Sequence, residues 1–220
     1  LEEISRILAP LSWEFVSLGS CGQFPEPVED ADTFEGNARI KALAALENTG
    51  LPALADDSGL EVDALDGRPG VYSSRYAGED ATDEENNDKL LGELADVPDD
   101  KRTARFVSTI VFVDTDGTEV VARGTCEGVI GHERRGENGF GYDPLFIPDE
   151  VGVPGGGGTA ENTQGRSYAE LSAAEKDAIS HRGRAMERME AELARFLADG
   201  SVIGMTCGNA CITVADKAEG

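Results

Sequence analysis

The chain has 220 residues, 40% of them hydrophobic and 6% aromatic, and carries 43 acidic against 19 basic side chains for a net charge of -24. That length suits one core, or one core with a smaller lobe, and the charge opposes non-specific contact with nucleic acid or an anionic membrane, both of which need a positive footprint. No apolar run reaches the roughly 18 residues of a membrane span, and Leu1-Glu2-Glu3-Ile4 does not read as a signal peptide.

Ile4, Ile7 and Leu8 share one face of a short amphipathic helix that Pro10 stops. Trp13 to Leu18 alternates as a strand, and residues 19–31 form a loop rich in Gly, Pro and acids. Thr33 caps a helix from Phe34, with Ala38, Lys41, Ala42, Ala45 and Leu46 at helical spacing and Gly50 at its end. The apolar run Leu51 to Ala55 reads as a buried strand that ends in a loop at Asp56-Asp57-Ser58-Gly59. Thr82 and Glu85 form a capping box for a helix through Leu94. The β-rich runs Arg105 to Val113 and Glu119 to Gly124 flank Asp114-Thr115-Asp116-Gly117, a hairpin signal, with Cys126 to Ile130 extending the second arm. Residues 152–165, with four consecutive glycines, read as a flexible insert. Ser172 and Glu175 box the start of one long helix whose apolar face runs from Ala178 to Leu197, ending at Gly200. Residues 199–220 form a tail with no evident place in the fold.

Cys21, Cys126, Cys207 and Cys211 lack paired C-x₂-C spacing, so neither a zinc site nor a disulfide framework is supported, and a reducing cytoplasm is the simple reading. There is no phosphate-binding P-loop, no dinucleotide fingerprint and no G-x-S-x-G nucleophile elbow.

Four segments gather chemistry. Asp56 and Asp57 at a strand end need a cation to stay ionised together, and Mg²⁺ would satisfy that; an acidic turn with Ser58 bonding the backbone is the alternative. Glu35, in a helix's first turn, is either a capping acid or a metal-facing carboxylate. Phe140-Gly141-Tyr142-Asp143 offers a stacking ring, a close-approaching backbone and an acceptor, or else an aromatic hairpin corner. Lys176, Ser180, His181 and Arg182 either form a solvated helix face or bring cations to a ligand; Lys176 and Ser180 share a face, whereas Arg182 lies about 200° round from Ser180.

In series these segments resemble the inosine triphosphate pyrophosphatase family, the non-canonical purine nucleoside triphosphate pyrophosphatases. The matching stretches are Thr33-Phe34-Glu35-Gly36-Asn37-Ala38 with Lys41-Ala42, and Ala55-Asp56-Asp57-Ser58-Gly59-Leu60. Pro69-Gly70-Val71-Tyr72-Ser73-Ser74-Arg75-Tyr76 and Gly139-Phe140-Gly141-Tyr142-Asp143-Pro144 follow. Ala169-Glu170-Leu171 and Glu175-Lys176 with Ile179-Ser180-His181-Arg182 complete the series. The match covers residues 1–198, leaving 199–220 as a tail.

The resemblance implies an α/β fold with a mixed, elongated, twisted sheet flanked by helices, two lobes and a central cleft. It implies Mg²⁺-dependent hydrolysis of ITP, dITP and XTP to the monophosphate and pyrophosphate by a homodimer. Asp57 would be the general base and a metal ligand, with Glu35 a second metal-facing acid, although relatives often place that acid where Gly36 stands here. Ser58, Phe140, Gly141, Tyr142, Asp143, Lys176, His181 and Arg182 would contact substrate. The family opens with a strand and a Thr-x-Gly-Asn-x-x-Lys loop that cradles the triphosphate, and this chain begins inside the helix that follows it. Thr206-Cys207-Gly208-Asn209 faintly echoes that loop, and an unrelated tail is preferred over a circular permutation. The competing expectations are a non-catalytic nucleotide-binding or dimerisation module, and a Maf-like pyrophosphatase for modified pyrimidine nucleotides.

Overall fold

The computed structural model describes residues 14–153, 158–198 and 211–215. The helix expected over residues 1–9 and the Thr206–Asn209 echo lie outside them. The mixed α/β class is as expected. The strands are β1 (Glu14–Ser17), β2 (Ala53–Val62), β3 (Thr103–Val113), β4 (Glu119–Ile130), β5 (Phe146–Pro148), β6 (Glu150–Gly152), β7 (Thr159–Glu161) and β8 (Cys211–Ala215). A six-stranded sheet has the order β1-β8-β2-β3-β4-β5, and a two-stranded ribbon pairs β6 with β7. The helices are α1 (Leu18–Cys21), α2 (Phe34–Thr49), α3 (Asp83–Glu93), α4 (Ala173–Asp177) and α5 (His181–Ala198), joined by 3₁₀ turns.

The chain folds as two compact units. The first is drawn from Leu1–Asp57, Ser108–Gly124 and Arg184–Gly220; the second from Ser58–Val107 and Thr125–Gly183. In the first, Ala38, Ala42 and Ala45 of α2 are fully buried with Ala53, Ala55, Val111 and Val113. Alanine at this spacing makes a flat helix face that approaches strands closely. A second cluster joins Ala185, Met186, Met189 and Leu193 of α5 to Leu54, Ile110 and Phe112, the stripe of a helix packed on a sheet. In the second unit, Phe106, Phe146 and Tyr168 form a ring trio with centroids 4.7–5.6 Å apart, among Leu60, Leu90, Leu94 and Ile130.

Among the differences from the sequence reading, three bear on the sheet and the last helix. β2 does not stop at Ala55; it runs through Asp56-Asp57-Ser58-Gly59 to Val62, so neither the expected loop nor the acidic turn forms. The strand continues because burial alternates along it, with Asp57 inward and Asp56 and Ser58 half-buried. The long C-terminal helix is two helices. α4 has the expected Ser172–Glu175 capping box but ends at Asp177, and Ser180 Oγ accepts the Gly183 N–H at 3.2 Å, capping α5 as a new start. Third, Cys211–Ala215 of the tail is a strand inside the sheet. β8 pairs in parallel with β1 and with β2, matching Thr213 to both Val16 and Ala53.

The flanks of the glycine-rich insert take up regular structure: Glu150, Val151 and Gly152 pair with Glu161, Ala160 and Thr159. Asn162 Nδ2 donates to the carbonyls of Pro148 and Arg166. The caps at Thr33 and Thr82, and the Gly50 stop, form as read.

Candidate functional site

In the first unit the chemistry gathers at Asp57, which is 9% exposed. Lys41 Nζ lies 3.0 Å from Asp57 Oδ1 and 3.2 Å from Glu29 Oε2. Asn37 Nδ2 donates to Asp57 Oδ2 at 3.4 Å, while Asn37 Oδ1 accepts the Ala31 N–H at 3.0 Å. Asn37 and Lys41 are one helical turn apart on α2, so both reach the strand from one face. Burial pushes the Asp57 carboxyl above its ordinary range, Lys41 and Asn37 pull it back, and Glu29 pushes up again. The net direction is up, which makes the carboxylate a better proton acceptor than a free aspartate.

The cation that the sequence reading required beside Asp57 is therefore present as an ammonium. Glu35 is elsewhere engaged: its Oε1 accepts from Arg39 at 2.7 Å, and Arg39 also donates to Glu119. Among the described residues no group of three or more His, Cys, Asp or Glu is arranged to hold a metal. Ser58 follows Asp57 on β2, so its side chain leaves the opposite face of the strand.

In the second unit Lys176 Nζ donates to Asp143 Oδ2 and lies over two rings, 5.3 Å from the Phe140 centroid and 4.8 Å from that of Tyr168. Asp143 is 3% exposed; burial raises its carboxyl pKa, opposed by Lys176 and the Phe140 N–H. Phe140 itself is 78% exposed, a ring held out on a fixed loop. Gly139, at φ 81°, has to be glycine, because a β-carbon there would stand 2.0 Å from Asp143 Oδ2. Gly141 is gripped at both polar atoms: its N–H donates to Asp83 Oδ2 at 2.6 Å and its carbonyl accepts from Asn87 Nδ2 at 2.9 Å. Tyr142 Oη donates to the Ser73 carbonyl at 2.9 Å, linking the Phe140 loop to the 3₁₀ turn Gly70–Arg75.

His181 opens α5 with its ring stacked on Phe106, 5.2 Å between centroids at 18°, and Phe106 stacks on Tyr168. Phe140, Lys176, Tyr168, Phe106 and His181 thus form one continuous run of contacts. Arg182 is half-buried in the first turn of α5. An exposed aromatic face, a lysine and a buried carboxylate together suit a flat polar heterocycle: the ring stacks, and the polar pair reads its edge.

Five polar partners are not among the site residues read from the sequence: Glu29, Asn37, Lys41, Asp83 and Asn87. Asn37 with Lys41 and Asp83 with Asn87 are i,i+4 pairs, so a polar pair on an otherwise packed helix face was the available signal. Glu29 carried none, because a loop acid becomes legible only once the loop is placed.

The Ham1 family model matches residues 1–192. The dITP/XTP pyrophosphatase of Corynebacterium efficiens is 48% identical over 199 residues, 89% of this chain and 93% of that protein. The dITP/XTP pyrophosphatase of Geobacter sulfurreducens is 49% identical over 193 residues, 88% and 90% of the two chains. Among solved structures, a HAM1 protein from Coxiella burnetii superposes with a TM-score of 0.76 at 41% identity, covering 88% of this chain and 92% of that one. A nucleoside-triphosphatase, dITP/XTP pyrophosphatase, from Mycobacterium abscessus gives 0.71 at 43%, covering 87% and 93%. With this fold, these two residue clusters and matches over nearly the whole chain, the protein belongs to the Ham1 family.

Proposed function

We propose that the chain is a nucleoside triphosphate pyrophosphatase that hydrolyses dITP, ITP and XTP to the monophosphate and pyrophosphate. The observation that carries this is the buried Asp57 carboxylate held by Asn37 and Lys41, in a chain near 48% identical to proteins of that named activity. In this reading Asp57 takes a proton from water as the water oxygen bonds to phosphorus. The bond between the first and second phosphates breaks, and pyrophosphate leaves with the bridging oxygen. Lys41 offsets the negative charge around Asp57. Phe140 stacks on the purine, and Lys176 with Asp143 reads its edge; an oxo group at the purine accepts a hydrogen bond where an amino group cannot.

Mg²⁺ belongs to the same reading. Asp57 already faces a cation, and Mg²⁺ keeps several waters and takes substrate phosphates, so one or two carboxylates suffice to hold it. Asp57 is the residue that would do so; Glu35 would join only by leaving Arg39. When bound, the ion would neutralise phosphate charge. A homodimer goes with the proposal, and light scattering measures it.

The test is pyrophosphate release from dITP, XTP, ATP and modified pyrimidine triphosphates with Mg²⁺. Turnover of dITP and XTP well above ATP is the expected result. Equal turnover of ATP would remove the specificity, preference for the pyrimidines would favour the Maf-like reading, and calorimetric binding of dITP without hydrolysis would make the chain a binding module.

A further inference from the structure

The loop before α2 reads as a connection, yet it reaches the Asp57 cluster by two separate tethers. The Ala31 N–H donates to Asn37 Oδ1, and the Glu29 carboxylate meets Lys41 Nζ at 3.2 Å. Asn37 and Lys41 are the same two residues that hold the two oxygens of Asp57. Gly36 makes the approach possible: a β-carbon there would stand 2.5 Å from the Ala31 β-carbon, inside any tolerable contact. The absent side chain lets the loop lie against the first turn of α2. Glu29 is 17% exposed in its side chain and Lys41 8%, so the pair is largely shielded from the screening that makes surface ion pairs weak.

We propose that Glu29 is a positioning residue for the hydrolysis, acting through Lys41. The proposal rests on the reading of Asp57 as the base. A lysine carries a flexible four-carbon stem with many accessible rotamers. Held by Asp57 alone, its ammonium would follow an arriving triphosphate, whose negative charge competes with a single carboxylate. The second carboxylate anchors the ammonium from the loop side. It keeps the charge beside Asp57 while phosphate enters, and so fixes the face that Asp57 presents to water.

The experiment compares Glu29→Gln, Glu29→Asp, Lys41→Met and the double variant Glu29→Gln/Lys41→Met in steady-state hydrolysis of dITP with Mg²⁺, each with a thermal melt. Glu29→Gln is expected to lower kcat by roughly 10-fold and to leave KM within about 2-fold, because misplacement of a reacting group is a kcat effect. Glu29→Asp keeps the charge and should recover part of that loss. In the Lys41→Met background the Glu29→Gln change should cost less than about 2-fold, since a residue that acts through another has nothing left to do without it. An undiminished loss in that background overturns the proposal, as does an unchanged kcat in Glu29→Gln or a loss confined to KM. Should Glu29→Gln melt below the assay temperature, the comparison is made below its melt, where an unchanged kcat beside an impaired Lys41→Met sinks the idea. Asp57→Asn separates the two levels: retained turnover removes the base assignment and this proposal with it. An inactive Asp57→Asn beside a fully active Glu29→Gln removes only the role of Glu29.

Discussion

Ala215, near the end of the chain, pairs in parallel register with Ala55, two residues before Asp57. β8 has β1 on one side and β2 on the other, so a segment of the tail is interior to the sheet. Ending the chain after Ala198 would strip both neighbours of their partner. Net hydrogen-bond contributions of about 1 kcal/mol each, lost along two ladders, rival the roughly 5–15 kcal/mol that holds a domain together. The shortened chain should lose its cooperative unfolding transition, read by circular dichroism against urea. A transition of unchanged midpoint and slope would show the strand to be dispensable.

With Asp57 as the proposed base, Lys41 should hold down the acid limb of the rate. A base works only when ionised, so a carboxyl pKa raised by burial moves the lower limb of kcat/KM against pH above the usual carboxylate range. Lys41→Met removes the largest group that pulls it back, and the limb should move further up. Breaking a buried pair from one side also costs about 3–5 kcal/mol of stability. A limb that stays in place would detach Asp57 from the pH profile.

Phe140→Ala tests recognition apart from folding. The ring is 78% exposed, so the melting temperature should hardly change. Stacking on a base is worth about 1–3 kcal/mol by alanine substitution, and KM for dITP should rise by roughly 10-fold or more with kcat little altered. An unmoved KM would return the loop to a structural corner.

Glu175 gives a pH prediction for folding. Arg166, the Ser172 N–H and the Ser172 hydroxyl hold its carboxyl down to about 2, against an ordinary 4.5. A depressed folded-state pKa means the contribution is present above about 4.5 and is lost as pH falls towards 2. Glu175→Gln should therefore narrow the gap in stability between pH 6 and pH 3, and a carboxyl resonance titrating near 4.5 in the native protein would contradict the assignment.

The Phe140 loop depends on α3 in a way that separates position from contact. Asn87→Ala removes the donor to the Gly141 carbonyl while leaving Phe140, Asp143 and Lys176 in place. It should raise KM for dITP several-fold and cost about 1–3 kcal/mol of stability for the unsatisfied carbonyl. A variant with wild-type KM would show that the Asp83 bond holds the loop unaided.

Local chemistry in the sequence determined the helix caps at Thr33, Thr82 and Ser172 and the β3–β4 hairpin, while Asp57, Asp143 and Lys176 stood out only through the ordered series of motifs. Capping, alternation and turn residues act over a few positions, so they are legible along the chain. The tertiary structure decided what distance along the chain conceals. It made Asp56-Asp57-Ser58 strand rather than turn, because Asn37 and Lys41 satisfy the inward carboxylate. It broke the last helix at Ala178–Ser180, where Ser180 caps a fresh start, and turned Glu35 to Arg39, which also binds Glu119. It also brought Glu29 to Lys41 and set β8 between β1 and β2, since a loop's path and a strand's partner are fixed by burial and pairing across the whole chain.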